Sequence, residues 1–301
     1  MSTSTAYFMG VDLGSTTAKT VILDDNAKVL SACIVQMGAV SQRGMEQAVE
    51  SALESAGIGQ EELSYIIGTG YGRRLVKGVG RTFTEITCHA RGVAALFPKA
   101  ELVIDIGGQD SKVIALDKQG LVDNFAMNDR CASGTGRFYE VLARALECDI
   151  AEVGTLAMQG RKDLEVSSMC ATFAETEIIS LLAGGESPAD VAASVHSAIA
   201  QRALGLVAQV GKRNTIIMTG GVAKNPAAVH FLEKALKQEM QVPHDPQIMG
   251  AYGAALLALE LSTGRQITEY DTAKIEALES KVEAAFQPKN RSVPDCMKCT
   301  S

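Results

Sequence analysis

One stretch of this chain is written twice. Residues 11–29, VDLGSTTAKTVILDDNAKV, lie on residues 104–122, IDIGGQDSKVIALDKQGLV, without a gap and at one constant offset that carries Asp12 onto Asp105. Six positions are identical: Asp12 and Asp105, Gly14 and Gly107, Lys19 and Lys112, Leu23 and Leu116, Asp24 and Asp117, Val29 and Val122. Each copy is a β-turn-β pattern, with apolar runs on either side of a turn rich in Gly and hydroxyl residues. A chance match of two hairpins would share hydrophobicity. It would not share an acid, a turn glycine and a lysine at fixed spacing, so we read an internal duplication, which implies two similar domains facing a cleft.

The elements around the repeat follow the same division. AYFMGVDL, AKTVILD and VLSACIVQ read as an antiparallel meander, followed by a helix over Met45–Ala56, a strand SYIIG and a helix near Glu85–Phe97. The β pattern restarts at Glu101 with LVIDIG, QDSKVIALD and LVDNFAM. Helices are expected over Gly136–Cys148, Thr172–Ala183 and Pro188–Gly211, then a buried strand NTIIMTG, then helices over about Asn225–Gln238 and Ile248–Leu261. Residues after Gly264 change character: an amphipathic helix, EYDTAKIEALESKVEAAF, precedes a polar stretch read as a flexible tail.

Two domains need two cores, and 301 residues that are 47% apolar supply them. With 28 Lys and Arg against 35 Asp and Glu, the net charge of −7 and the lack of a basic block argue against nucleic acid or an anionic membrane as partner. GAYGAALLALEL, the most apolar stretch near the C-terminal end, is too short for a membrane span and carries Glu260. Seven cysteines is an odd number, and MSTSTAYFMG has no charged n-region or apolar h-region. A cytoplasmic chain with reduced thiols is expected.

An Asp ending a buried strand before a Gly-containing turn does two jobs: its carboxylate holds a hydrated divalent cation, and the small residues let backbone N–H groups approach phosphate. Asp12-Leu-Gly14-Ser15-Thr16-Thr17 and Asp105-Ile-Gly107-Gly108-Gln109-Asp110 both have this form, and Lys19 adds positive charge. The later segment TGGVAKN, with Gly220, Gly221 and Asn225, offers a flat glycine surface and a helix N-terminus to a nucleoside. Gly134 and Gly136 in SGTGR are further cofactor candidates, while GTGYG at Gly68–Gly72 reads as a turn. No GxxxxGK(S/T) sequence is present, which excludes a P-loop enzyme.

These three segments give residues 6–262 a resemblance to the actin, Hsp70 and sugar-kinase superfamily. The resemblance implies an α/β fold of two RNase-H-like domains around an ATP cleft. The expected division is residues 1–98, joined by a returning helix at about 248–262, then residues 99–247, then a helical and flexible tail over 265–301.

Cys131 in NDRCASGTGRF and Cys170 in SSMCATFAETEIIS each stand at or just before an expected helix start, where partial positive charge and free N–H groups favour a thiolate. Their spacing is neither a ferredoxin nor a zinc pattern, and two thiolates cannot complete a four-cysteine cluster. A two-fold dimer would supply four. Cys33, Cys88 and Cys148 read as core thiols, the four histidines as structural, and Cys296-Met-Lys-Cys299 has CxxC spacing that leaves metal binding, disulfide cycling and no role all open.

Taken together, VDLGSTTAK, TGYGR, CHARG, VIDIGGQDSK, MNDRCASGTGRF, SSMCATFAETEIIS and MTGGVAKN resemble the activator components of 2-hydroxyacyl-CoA dehydratases and the related ATP-binding subunits of benzoyl-CoA reductases. The resemblance implies a 4Fe-4S cluster shared between two subunits, identical or related, whose ligands fall on Cys131 and Cys170. It implies ATP with Mg²⁺, a ferredoxin or flavodoxin donor, and an iron–sulfur partner acting on a CoA thioester. In that scheme Asp12 holds Mg²⁺ through water, and Asp105, Gln109 and Asp110 face the γ-phosphate and position water. A sugar-kinase-like phosphotransferase and a non-redox regulatory ATPase use the same ATP segments and remain alternatives.

Overall fold

The computed structural model describes residues 6–37, 41–129, 132, 134–166 and 171–264. Strands β1 (Tyr7–Leu13), β2 (Thr17–Leu23) and β3 (Val29–Gln36) form the expected antiparallel meander. Helix α1 (Gln42–Ala56) follows, started by the Ser41 hydroxyl, which accepts from the Gly44 N–H, and stopped by Gly57 at φ 69°. Met45, Ala48 and Ala52 put one stripe of α1 onto the sheet. Strand β4 (Leu63–Thr69) runs parallel to β1, the two-residue β5 (Arg81–Thr82) pairs with β4, and α2 (Glu85–Leu96) ends this half. The sheet order is β3-β2-β1-β4-β5.

The second half repeats the plan. Strands β6 (Leu102–Ile106), β7 (Ser111–Leu116) and β8 (Val122–Asn128) form a meander, and β9 (Ile216–Thr219) lies parallel to β6, giving the order β8-β7-β6-β9. The hairpin registers are those the repeat requires: Asp12 faces Lys19, and Asp105 faces Lys112. The symmetry reaches past the aligned segments. Asp12 sits beside Thr69 of β4 and Asp105 beside Thr219 of β9, and the edge pairing Ile67–Arg81 has its counterpart in a single bridge between Ile217 and Gln241.

Between β8 and β9 stand α3 (Gly136–Ala145), α4 (Ile150–Ala157), α5 (Ala171–Ala183) and α6 (Pro188–Val210), and α7 (Pro226–Leu236) and α8 (Met249–Thr263) close the described chain. The expected helix to Cys148 stops at Ala145 because Glu147 turns left-handed at φ 52°; a new helix, α4, then starts on a capping box between Asp149 and Glu152. Helix α6 is the one described helix whose length and composition would cross a membrane, but it packs against α4, α7, β7 and β8 and is more than half buried.

The last helix crosses back: α8 lies on β1, β2 and β4, and α2 from the first half contacts β6, β7 and β8 of the second. The contacts are backbone-close, since a Cβ on Gly10 would stand 2.0 Å from the Ala251 carbonyl oxygen, and one on Gly253 would stand 1.8 Å from that of Cys88. Val21 and Leu23, Ile86 and Val93, Val103 and Ile114, Tyr252 and Leu256 form one core cluster drawn from both halves. Each such fully buried aliphatic side chain contributes about 1.5–3 kcal/mol. Arg91 and Glu260, 3% and 8% exposed, join α2 to α8 with an Nε–Oε1 distance of 2.7 Å.

Candidate functional site

A cleft of about 600 Å³ opens between the two Asp turns. The turns close in the same way, with the Gly14 N–H donating to the Thr17 carbonyl at 3.0 Å and the Gly107 N–H to the Asp110 carbonyl at 2.9 Å. They also approach each other: a Cβ on Gly108 would stand 2.4 Å from Thr16 Oγ1. Helix α3 is tied to the second turn, its Gly136 and Arg137 N–H groups each donating at 2.8 Å to the carbonyls of Gly107 and Gly108. Ser111 Oγ donates to the Gly134 carbonyl at 2.7 Å, which fastens the segment leading into that helix. Two further glycines are required by conformation: Gly70 and Gly220 follow the paired threonines at φ 83° and 88°, and a Cβ on either would run into Asp12 Oδ1 or the Ile106 carbonyl.

The charges interlock. Lys19 Nζ donates to Asp12 Oδ2 at 3.0 Å. Asp105 is 2% exposed and receives Thr219 Oγ1 at 2.8 Å, His89 Nε2 at 3.2 Å and Lys112 Nζ at 3.2 Å, while Lys112 also contacts Asp110. Burial alone would raise the Asp105 carboxyl, but His89 and Lys112 hold it well below the usual range. Burial would likewise lower His89, yet the Asp105 carboxylate holds it above its ordinary value. His89 reaches Asp105 across the cleft from α2, fixed by a 2.8 Å contact of Nδ1 with the Glu85 carbonyl. Glu85 also borders the cleft; burial raises its carboxyl.

Asp12, Gly14, Ser15, Thr16, Thr17, Lys19, Asp105, Gly107, Gly108, Asp110, Gly136, Gly220, Gly221 and Asn225 all line this one cleft. Two sequence candidates do not. Gln109 is exposed at the tip of the second turn, and Gly134 acts through its carbonyl on Ser111. Asn225 borders the cleft, but its side chain is committed: Oδ1 accepts from the Ala227 and Ala228 N–H groups to cap α7, and Nδ2 lies 3.0 Å from His196 Nε2. Cys131, Cys170, Cys296 and Cys299 lie outside the described residues. Cys88 is buried, and Cys33 and Cys148 are partly buried against core clusters with thiols pushed up by burial. Sequence reasoning missed Glu85, His89, Lys112, Lys224 and the Gly70–Tyr71 turn as cleft residues. For Lys112 and Gly70 a signal existed: the first repeats Lys19, and TGYG mirrors TGGV.

The cleft can hold a polyphosphate only with help. Five carboxylates line it, Asp12, Glu85, Asp105, Asp110 and Glu140, against the lysines 19, 112 and 224, so an anionic chain entering it requires a cation. Among the described residues no three His, Cys, Asp or Glu side chains converge on a metal position of their own. A hydrated Mg²⁺ keeps its waters and binds through one or two carboxylates plus phosphate oxygens, and Asp12 and Asp105 are the carboxylates that could receive it here. Ile150, Met158 and Pro226 add apolar surface to the lining of the same cleft.

Residues 9–258 match the sequence profile of the BadF/BadG/BcrA/BcrD ATPase family. The activator of lactoyl-CoA dehydratase from Anaerotignum propionicum is 44% identical over 84% of this chain and 98% of its own. Two solved structures superpose with a TM-score of 0.82 at 38% identity over 86% of this chain: the activator of 2-hydroxyisocaproyl-CoA dehydratase from Clostridium difficile with bound ADPNP, over 96% of that chain, and component A of (R)-2-hydroxyglutaryl-CoA dehydratase from Acidaminococcus fermentans, over 99%. The fold is that of the actin, Hsp70 and sugar-kinase ATPases, as the duplication and its turns imply.

Proposed function

Because the chain belongs to the BadF/BadG/BcrA/BcrD ATPase family, we propose that it is the ATP-hydrolysing activator that passes low-potential electrons to an iron–sulfur partner acting on a CoA thioester, of the 2-hydroxyacyl-CoA dehydratase kind. The observation that carries this reading is the tie between the second phosphate turn and α3. The Gly107 and Gly108 carbonyls accept the first N–H groups of α3, so a shift of that turn on nucleotide exchange would move the start of this helix, which follows Cys131 in the sequence.

In the cleft, Asp12 and Asp105 would hold Mg²⁺ through its waters, and the turn N–H groups and Lys19 would receive the phosphates. Thr219, His89 and Lys112 keep Asp105 ionised and oriented. The apolar surface at Ile150 and Met158 takes the adenine ring. A 4Fe-4S cluster, when bound, supplies a one-electron carrier, and Cys131 and Cys170 from each of two subunits would hold it. Helix α5 starts at Ala171, the residue after Cys170, and leaves Phe173 and Ile179 exposed at 68% and 51%, which suits a subunit contact on this face. The electron would enter from a ferredoxin or flavodoxin.

Anaerobic purification tests the proposal: a brown, oxygen-sensitive dimer with about four irons is expected. Cys131→Ala or Cys170→Ala should remove the iron and leave nucleotide binding intact, and Cys33→Ala should do neither. A colourless monomer that still turns over ATP would refute it.

A further inference from the structure

Glu85 stands where a carboxylate is hard to keep. It is the first residue of α2, after the Thr84 cap, and it is 3% exposed. Beyond its own backbone N–H, neither carboxylate oxygen has a hydrogen-bond partner, and Arg73 Nη1 lies 3.6 Å from Oε2, outside hydrogen-bond range. Every other buried acid of this cleft is engaged: Asp12 by Lys19, Asp105 by Thr219, His89 and Lys112, and Asp110 by Lys112. A buried polar group left without partners is costly, and such groups persist where a ligand or reaction supplies the missing contact. Glu85 borders the same cleft as the phosphate turns. Desolvation keeps its carboxyl above the ordinary range, so it is a better proton acceptor than a surface glutamate.

We propose that Glu85 is the catalytic residue that binds the water attacking the γ-phosphorus and accepts its proton; this rests on the ATPase reading above. The water oxygen forms the new P–O bond, the bond between the γ-phosphorus and the β,γ-bridging oxygen breaks, and its electron pair leaves on the β-phosphate of ADP. The water proton passes to the free Glu85 oxygen and from there to solvent. Gln109 does not take this part: it is exposed at a turn tip and an amide is no base.

Substitution separates this role from a structural one. Glu85→Gln should lower ATP turnover by about 100-fold or more, while the dissociation constant for a non-hydrolysable ATP analogue with Mg²⁺ stays within about threefold, the assay's ordinary scatter. The melting temperature should stay close to that of the wild type, because the amide relieves the desolvation of a buried carboxylate while giving up its 3.6 Å ion pair with Arg73. Glu85→Asp retracts the carboxylate by one methylene and should lose turnover in the same direction. Turnover within threefold of wild type in either variant overturns the assignment, and so does a fall in melting temperature that accounts for the lost activity. A wild-type protein that hydrolyses no ATP overturns the ATPase reading itself.

Discussion

Removing Arg91 should weaken the packing of α2 on α8 behind the cleft. Its guanidinium and the Glu260 carboxylate are buried together where α2 and α8 cross, at 2.7 Å through Nε. In Arg91→Met the stem packing is largely kept, and what changes is that Glu260 loses its counter-charge in a site 8% exposed. Leaving one member of a buried pair uncompensated costs about 3–5 kcal/mol. For a chain of this size that is a fall of roughly 10 °C in melting temperature. Burial already raises the Glu260 carboxyl, against the opposing pull of Arg91. Without Arg91 it rises further, so the penalty is full well above that value and shrinks as pH falls and the acid protonates. Denaturant unfolding of both proteins at pH 8 and pH 5 measures this. The pair replaced together, Arg91→Met with Glu260→Leu, should recover most of the loss. A single-variant loss under about 1 kcal/mol at pH 8, or an equal loss at both pH values, would refute the argument.

The duplication makes a paired prediction for the threonines beside the two aspartates. Thr219→Val removes the hydroxyl that donates to Asp105 and should cost about 1.5–3 kcal/mol without nucleotide, whereas Thr69→Val removes a buried hydroxyl with no partner and should be neutral or stabilising; equal losses in denaturant titrations would contradict the asymmetry. His196 is packed between Tyr139 and Phe231, and burial pulls it down to about 4. The unfolded chain therefore takes up a proton first as pH drops below about 6.5, and stability should fall by about 3 kcal/mol between there and pH 4. His196→Phe should flatten that acid limb, and an unchanged slope would assign it elsewhere.

The local patterns were open to reading along the chain. The hairpins, the Asp-Gly turns and most helix ends depend on neighbours a few residues apart, so a repeat of 19 residues already implied two sheets and the register that sets Asp12 opposite Lys19 and Asp105 opposite Lys112. It misplaced Gln109, because a turn can be recognised from sequence while the direction of the side chain at its tip cannot. It also overlooked the second half of the symmetry. Asp12 and Asp105 are 93 residues apart, but Thr69 and Thr219 are 150 apart, since four helices stand between β8 and β9, and no constant offset survives such an insertion. Glu85 and His89 reached the cleft only through tertiary structure. They lie on a stretch of α2 whose residues 85–93 are all buried, and the parallel pairing of β4 and β5 and the crossing of α2 over α8 decide which way they face. Sequence alone determined the repeated unit and its paired Asp-Gly turns; long-range packing decided which buried acid was left without a side-chain hydrogen bond, because desolvation is set by what the fold places around a group and not by its neighbours in the chain.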